Sequence, residues 1–455
     1  MPLSLSTLPT DIILEVVNFL DLPDPISLLS TCSYIYRLSN ERSFWLSVLE
    51  TTRKKSPIAC PRHTDLSQYT LEALKDLAIS WLKLQSNWNR PFPRLAHPVT
   101  STALSEDVDI IFLVPGTDIL LLSTAETVLC WDVKLTAPFP LPAIEIDGPV
   151  VDVSAPSEVP GSTSVAFLVR MSDIVERRHV VTIKHEAGKA ISFTGIYSEF
   201  SGPSGSHFKS VFLTEEVVGT VVVVHNRQDC TVTVGALTGS ADRQDSTSVL
   251  KIPHTFSYQD EMMVCFAYEG HLYQLIEDGH SVQIQHISRN SLLSGECEQA
   301  GLYSSDVLVS SPPYSSTCMI PSTPQYGVGA IFIRRTDTHL SISLVPATLT
   351  DAVDNGVSSP LTFGASCVSE IVQGKEMSMW LDHSGFNAGF VVQSATAINL
   401  LLVRYHPDTK SISQHTLEVP ESIDLDDPNV VCVDDTAGAV HLIDKQGVLS
   451  TLRYV

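Results

Sequence analysis

A few short stretches of this 455-residue chain carry residue types that could do chemistry. Cys60-Pro61-Arg62-His63 places a thiol and an imidazole at the spacing of half a zinc site. A structural zinc takes four such ligands, and no second pair follows. No His-Glu-x-x-His helix occurs either. Asp382-His383-Ser384-Gly385 has the residue types of an acyl-transfer triad, but such triads assemble from distant positions. Adjacent residues cannot face one another in that way, and the stretch reads as a turn. There is no Gly-x-Ser-x-Gly elbow. Gly188-Lys189 and Gly374-Lys375 lack the upstream glycine that lets backbone N–H groups cradle a phosphate. Asp424-Leu425-Asp426-Asp427 lacks the loop glycine and closing glutamate of a calcium-binding hand, so it reads as a solvated acidic turn. Carboxylates are plentiful, but no spacing marks a glycosidase pair. The expectation is a chain with no catalytic residues, no metal and no cofactor, and so not an enzyme.

The strongest local pattern is apolar. Ile12, Ile13, Val16, Val17, Phe19 and Leu20 fall at helical spacing with a wide apolar face. Thr10 and Asp11 cap and charge the start, and Leu22-Pro23 stops the helix. Asp24 then caps a second helix with Pro25 at its first position, carrying Ile26, Leu28, Leu29 and Cys32 inward. Leu38 follows. Ser39 or Asn40 starts a third helix with Phe44, Trp45, Val48 and Leu49. Some fifty residues therefore hold more apolar faces than three short helices hide from one another, and a unit this small is marginal alone. The surplus calls for a partner.

These residues in this order resemble an F-box: Leu8-Pro9, Ile12-Ile13, Val16, Leu20, the Asp24-Pro25-Ile26-x-Leu28-Leu29 run, Cys32 and Phe44-Trp45. The match covers about residues 5–50. The chain departs from the family at Tyr34-Ile35-Tyr36-Arg37, where an Arg-Arg-Trp-like run is common. The resemblance implies docking on a Skp-type adaptor and, through it, on the cullin of a ubiquitin ligase. It implies adaptor-binding residues among Leu8, Pro9, Ile12, Ile13, Val16, Leu20, Leu28, Leu29, Cys32 and Trp45. We assign the exposed contact to Leu8, Pro9, Ile12 and Trp45, and expect others of the set to hold the helices together.

Net charge is −23, with 44% apolar and 17% charged residues, which describes a folded acidic protein. Nucleic acid and anionic membranes require clustered Lys and Arg and are not expected partners. The acid excess is compatible with a basic protein substrate. Nine cysteines without a Cys-x-x-Cys pair read as free thiols in a reducing compartment. No apolar run is long enough to span a membrane, and the start lacks a signal-peptide pattern. The expected location is cytoplasm, nucleus or both. Within residues 51–96, eight Lys or Arg stand against three Asp or Glu. This basic collar contains a helical stripe from about Thr70 to Asn87, ended by Asn89-Arg90-Pro91-Phe92-Pro93. We read it as a stiff connecting helix, and Arg53-Lys54-Lys55 as solvated surface.

From His97 onward, short alternating or apolar runs are divided by Gly, Pro, Asp, Asn and Ser, and helical stripes are nearly absent. About 360 residues of strand favour repetition over one sandwich. Strand–turn–strand phrases begin near Leu113, Pro149, Phe208, Tyr258, Cys318, Met377 and Val430. They average some fifty residues, which resembles a β-propeller of four-stranded blades. Trp131-Asp132 resembles the end of a WD repeat, once only. The last unit supplies three strands, so a strand near Val99–Leu104 is expected to complete it. Residues 235–250, 288–315 and 346–366 read as loops.

The expected architecture is multi-domain, α plus all-β: a three-helix F-box at 1–50, a helical linker at 51–96, and a propeller of about seven blades at 97–455 that holds a protein substrate. Such a chain would be the substrate-recognition subunit of a Skp–cullin–F-box ligase, supplying proximity rather than chemistry. The alternative is an interaction protein that uses the same docking outside ubiquitin transfer. A propeller enzyme ranks third.

Overall fold

Among the described residues, five α-helices precede the strands: α1 (Thr10–Val17), α2 (Pro23–Leu29), α3 (Ser33–Tyr36), α4 (Arg42–Lys55) and α5 (Leu71–Trp88). They come from a computed structural model that describes residues 8–61, 63–104, 108–171, 176–186, 188–200, 206–224, 229–237, 248–253, 262–277, 282–294, 301–303, 316–319, 330–335, 339–345, 347–349, 361–363, 368–373, 375–381, 387–394, 396–406, 409, 411–426 and 428–455. Arg62, Tyr258, Gly374, Asp382–Gly385 and Asp427, singled out above, lie outside the described residues, as do 238–247, 295–300, 304–315 and 350–360 of the expected loops.

The helix starts differ in detail from those expected. α2 begins at Pro23 with Leu22 as its N-cap, so Asp24 lies inside the first turn, where its charge still favours the helix N-terminus. Ser39 and Asn40 belong to a 3₁₀ turn over Arg37–Asn40, and Glu41 caps α4. Tyr34–Tyr36, at the departure from the F-box pattern, is part of the short α3, an additional helix.

The helical core does not stop at residue 50. Ile13, Val17, Leu22, Leu29, Ile35, Phe44, Trp45 and Leu49 share one buried cluster with Ile58, Cys60, Leu66, Leu74 and Ala78. Much of the surplus apolar surface is thus covered by the chain that follows. Arg53 serves the same packing: its Nη1 donates to Thr64 O at 2.6 Å and its Nη2 pairs with Glu50 at 2.7 Å, while Lys54 is exposed.

Among the described residues, seven antiparallel sheets of four or five strands follow, with one two-stranded hairpin. Their first strands are Asp109–Leu113, Val150–Val153, Ser206–Leu213, Met262–Tyr268, Ser316–Met319, Lys375–Leu381 and Pro428–Asp434. These agree to within a few residues with the starts read from the sequence. Each first strand lies against that of the next sheet, except between the fifth and sixth, where His339–Val345 meets Lys375–Leu381. Pro428–Asp434 of the last sheet meets Asp109–Leu113 of the first. Radial sheets neighbouring in sequence order, with the last against the first, describe a propeller. Cores lie between sheets: Ile119, Val128, Phe167 and Ile183 join the first and second, and Cys432, Ile443 and Leu449 meet Ile110, Leu120 and Trp131 to join the seventh and first.

The seventh sheet contains the expected closure. Thr100–Ala103 pairs antiparallel with Val448–Arg453, Thr100 opposite Thr451 and Ala103 opposite Val448. Strand order there is Thr100–Ala103, Val448–Arg453, Ala439–Asp444, Pro428–Asp434, so the outer strand is drawn from the beginning of the body. The lone Trp-Asp pair ends a strand: buried Asp132 accepts from Lys134 N at 2.8 Å and Leu135 N at 2.9 Å, which turns the chain. Within the expected loop 288–315 a short helix, α6 (Arg289–Ser294), forms. Within 346–366 the hairpin Ala347–Leu349/Leu361–Phe363 forms.

Candidate docking face and its attachment to the body

On α1, Ile13 and Val17 sit one turn apart and are buried, 1% and 0% exposed. A helix turns about 100° per residue, so their neighbours Ile12 and Val16 face away from that core. They are 45% and 42% exposed, and Phe19, in the turn after the helix, is 82% exposed. These three follow i, i+4, i+7 spacing and make one apolar strip, with exposed Pro9 before them. The strip is held firmly from behind. Tyr34 Oη donates to Leu8 O at 3.1 Å, Ser47 Oγ donates to Asn18 Oδ1, and Lys55 Nζ pairs with Asp21.

The candidate residues therefore divide. Pro9, Ile12 and Val16 are exposed, and Leu8, Leu20, Leu28 and Cys32 are half-buried. Ile13 and Leu29 are core. Trp45 is also core, at 4% exposure, with its Nε1 donating to Ser39 O at 2.8 Å. Its assignment as an exposed contact is corrected: the indole is stacked edge-on against Phe44 and fills the space beneath α4. Phe19 was absent from the candidate set, although its place three residues after Val16 puts it on the same strip.

The helices are joined to the propeller by α5. Thr70 Oγ1 caps it, accepting from Ala73 N at 3.2 Å. Its first half buries Leu74 and Ala78 in the helical core, and its second half buries Leu84 and Trp88 among Leu400, Leu402, Val433 and Tyr454 of the sixth and seventh sheets. One rigid rod thus belongs to two cores. Arg404 anchors its end: Nη2 donates to Gln85 Oε1 and Nη1 to Asn89 Oδ1, both at 2.7 Å, and Nε donates to Asn387 Oδ1 at 3.0 Å. Its guanidinium lies 5.6 Å from the Trp88 ring centroid. Asn87 Nδ2 donates to Tyr454 O at 2.7 Å.

Two glycines accept the close approach. Gly438, at φ +62°, lies under Leu84, where an added Cβ would sit 2.4 Å from Leu84 Cδ1. Gly116, at φ +71°, lies under the backbone of Cys60, which a Cβ would meet at 2.2 Å. Cys60, half of the Cys-x-x-His stretch, is thus a packing residue; burial pushes its thiol up to about 11, while His63 is exposed. Among the described residues no group of three potential metal ligands comes together. No described helix is long and apolar enough to cross a membrane.

These contacts identify which side of the body carries the helices. Gly116 and Gly438 lie in turns between the first and second strands of their sheets. His63 shares a hollow with Leu213–Glu216 and Tyr268–Gly270, which include the equivalent turns of the third and fourth sheets. In a propeller these turns share one side. A cleft of about 270 Å³ remains where the helices meet the body, walled by Leu20, Pro23, Trp81, Arg404, Tyr405 and His406.

No family model matches the chain, and no curated protein matches it. Solved structures are similar in outline. The β-propeller domain of Cps50 (Swd1) from Myceliophteria thermophila is 11% identical, over 79% of this chain and 99% of that one, with a TM-score of 0.45. The WD40 domain of SCAP from fission yeast is 10% identical, over 77% and 81%, with a TM-score of 0.41. Hsv2 from Kluyvelomyces marxianus is 11% identical, over 72% and 86%, with a TM-score of 0.35. The propeller description rests on this chain's own sheet order.

Proposed function

We propose that the chain is the substrate-recognition subunit of a Skp–cullin–F-box ubiquitin ligase, with an F-box over about residues 1–50, a linker over 51–96 and a propeller of about seven blades over 97–455. One observation carries the reading: the strip Pro9, Ile12, Val16 and Phe19 is apolar and exposed on a helix whose other face is sealed. An apolar helical strip held on a rigid support suits a hydrophobic groove in another protein. The adaptor would take that strip, with Leu8, Leu20, Leu28 and Cys32 at its margins. The body would hold a protein substrate, and conjugation chemistry would belong to other subunits.

The test is co-expression of the full chain with a Skp-type adaptor and cullin, followed by affinity capture. The expected result is capture of both by the wild-type chain. The double variant Ile12→Asp/Phe19→Asp should capture neither while melting like wild type. Capture of the adaptor at wild-type yield by that variant would refute the docking face. Capture of adaptor without cullin would favour the scaffold reading outside ubiquitin transfer.

A further inference from the structure

The second sheet ends, on the rim of the propeller, in a long strand. From the rim inward its order is Lys189–Phe200, Glu176–Glu186, Ser162–Arg170 and Val150–Val153. The rim strand runs 12 residues. Among the described residues, the rim strands of the other six sheets run from two residues, as at Ala137–Pro138, to six, as at Ser248–Pro253. Ser192–Phe200 pairs with Glu176–Lys184 in nine unbroken steps, and the register shifts beyond them, at Ile191. The other edge of that stretch presents N–H and C=O groups on alternate residues, and among the described residues no strand pairs with them. A long edge of this kind recruits another strand unless charge, proline or a bulge blunts it. From Ser192 to Ser198 there is neither charge nor proline. Successive side chains point to opposite faces, so apolar surface stands on both: Ile196 is 50% exposed on one and Tyr197 63% on the other. Tyr197 is nonetheless held in place, its ring centroid 4.5 Å from the Arg177 guanidinium and 5.6 Å from that of His179.

We propose that a second copy of the chain docks on this edge, the two rim strands pairing antiparallel about a twofold axis through Ile196. The axis follows from the register. An antiparallel self-pair that uses the whole unbroken stretch 192–200 centres on its midpoint, Ile196. Ile196 then meets its own copy, and each Tyr197 lies opposite the partner's Gly195, an aromatic ring covering a glycine. Ile144 already packs over Gly195, its Cδ1 3.0 Å from where a Cβ would stand, so the ring gains an apolar neighbour there. The stretch holds one charged residue, Glu199, whose position falls opposite Phe193, so two copies of a chain of net charge −23 meet without facing like charges. A twofold pair uses this edge on both copies and leaves it to no third. Nine paired residues make a seam about 30 Å long. That is narrow beside the interface of a permanent dimer, so association is expected at micromolar concentration. The inference stands apart from the ligase reading.

The test uses the full chain in analytical ultracentrifugation from about 1 to 100 μM, a span set by that small interface. The expected result is a shift from monomer to dimer mass, with nothing larger. Ile196→Lys puts like charges on the axis and should leave monomer across the range while melting like wild type. Mixing it with Ile196→Glu should restore the dimer. Ile196→Cys should form a disulfide-linked dimer on mild oxidation, because a residue on the axis faces itself at bonding distance. Val249→Cys, equally exposed on the rim strand of the third sheet, should not. Monomer mass at every concentration, a dimer indifferent to Ile196→Lys, or equal cross-linking of the two cysteine variants would overturn the proposal.

Discussion

At the scale of single residues, the neighbours Ile12 and Ile13 separate surface from core. Ile13→Ala empties a fully buried site and should cost about 3 kcal/mol. Ile12→Asp, at a half-open site, should stay within about 0.5 kcal/mol of wild type in urea denaturation, yet abolish adaptor capture. Both are β-branched, apolar and adjacent, so composition alone could not say which would face out. Trp45 shows the same limit, since an aromatic residue serves a core or an interface equally well. Gly438→Ala places a side chain at positive φ against Leu84 and should destabilise by about 2 kcal/mol in thermal melts. Asp434 gives a pH test. Burial pushes its carboxyl up to about 6, against which it accepts from Thr436 N and Oγ1 and from Ala437 N. A raised pKa in the folded state favours the protonated form there. The stability it contributes is full below the ordinary value of about 4 and is lost as pH rises through about 6. Asp434→Asn, which keeps an acceptor oxygen, should remove that loss; comparing the two unfolding free energies between those pH values checks it.

At the scale of elements, α5 carries the mechanical argument. Leu74 and Ala78 tie it to the helices, Leu84 and Trp88 to the sheets, so a single helix is packed into both cores. Arg404→Met, removing three polar bonds at that joint, should speed proteolysis within residues 89–99 severalfold, read by gel and mass spectrometry, with little change in adaptor capture. The helix was legible because its stripe is long and well capped. Its double allegiance was not, because periodicity shows that a face is apolar without showing what covers it. The strands were legible from alternation, and the sheet starts from turn residues at regular spacing. The shared helical core reaching Ala78 escaped sequence reading because Ile58, Cys60 and Leu66 sit in a stretch without period. The helix α6 and the hairpin at 347–363 escaped because each is too short to show one.

At the scale of the molecule, closure of the last sheet makes the end of the chain structural. Val448–Arg453 stands between Thr100–Ala103 and Ala439–Asp444, so deleting 448–455 detaches the first from the sheet and leaves one edge of the second unpaired. The truncated chain should be insoluble or lack a cooperative melt; an unchanged midpoint would contradict the closure. The helices lie on the side of the wheel that holds the first turns of the sheets, tied to it through α5, Gly116 and Gly438. Hydrogen–deuterium exchange of the full chain, with and without a Skp-type adaptor, tests the central claim most directly. The account predicts slower exchange confined to 9–20 and 28–32, with the seven sheets unchanged. Protection on the sheets instead, or none anywhere in the presence of saturating adaptor, would contradict it.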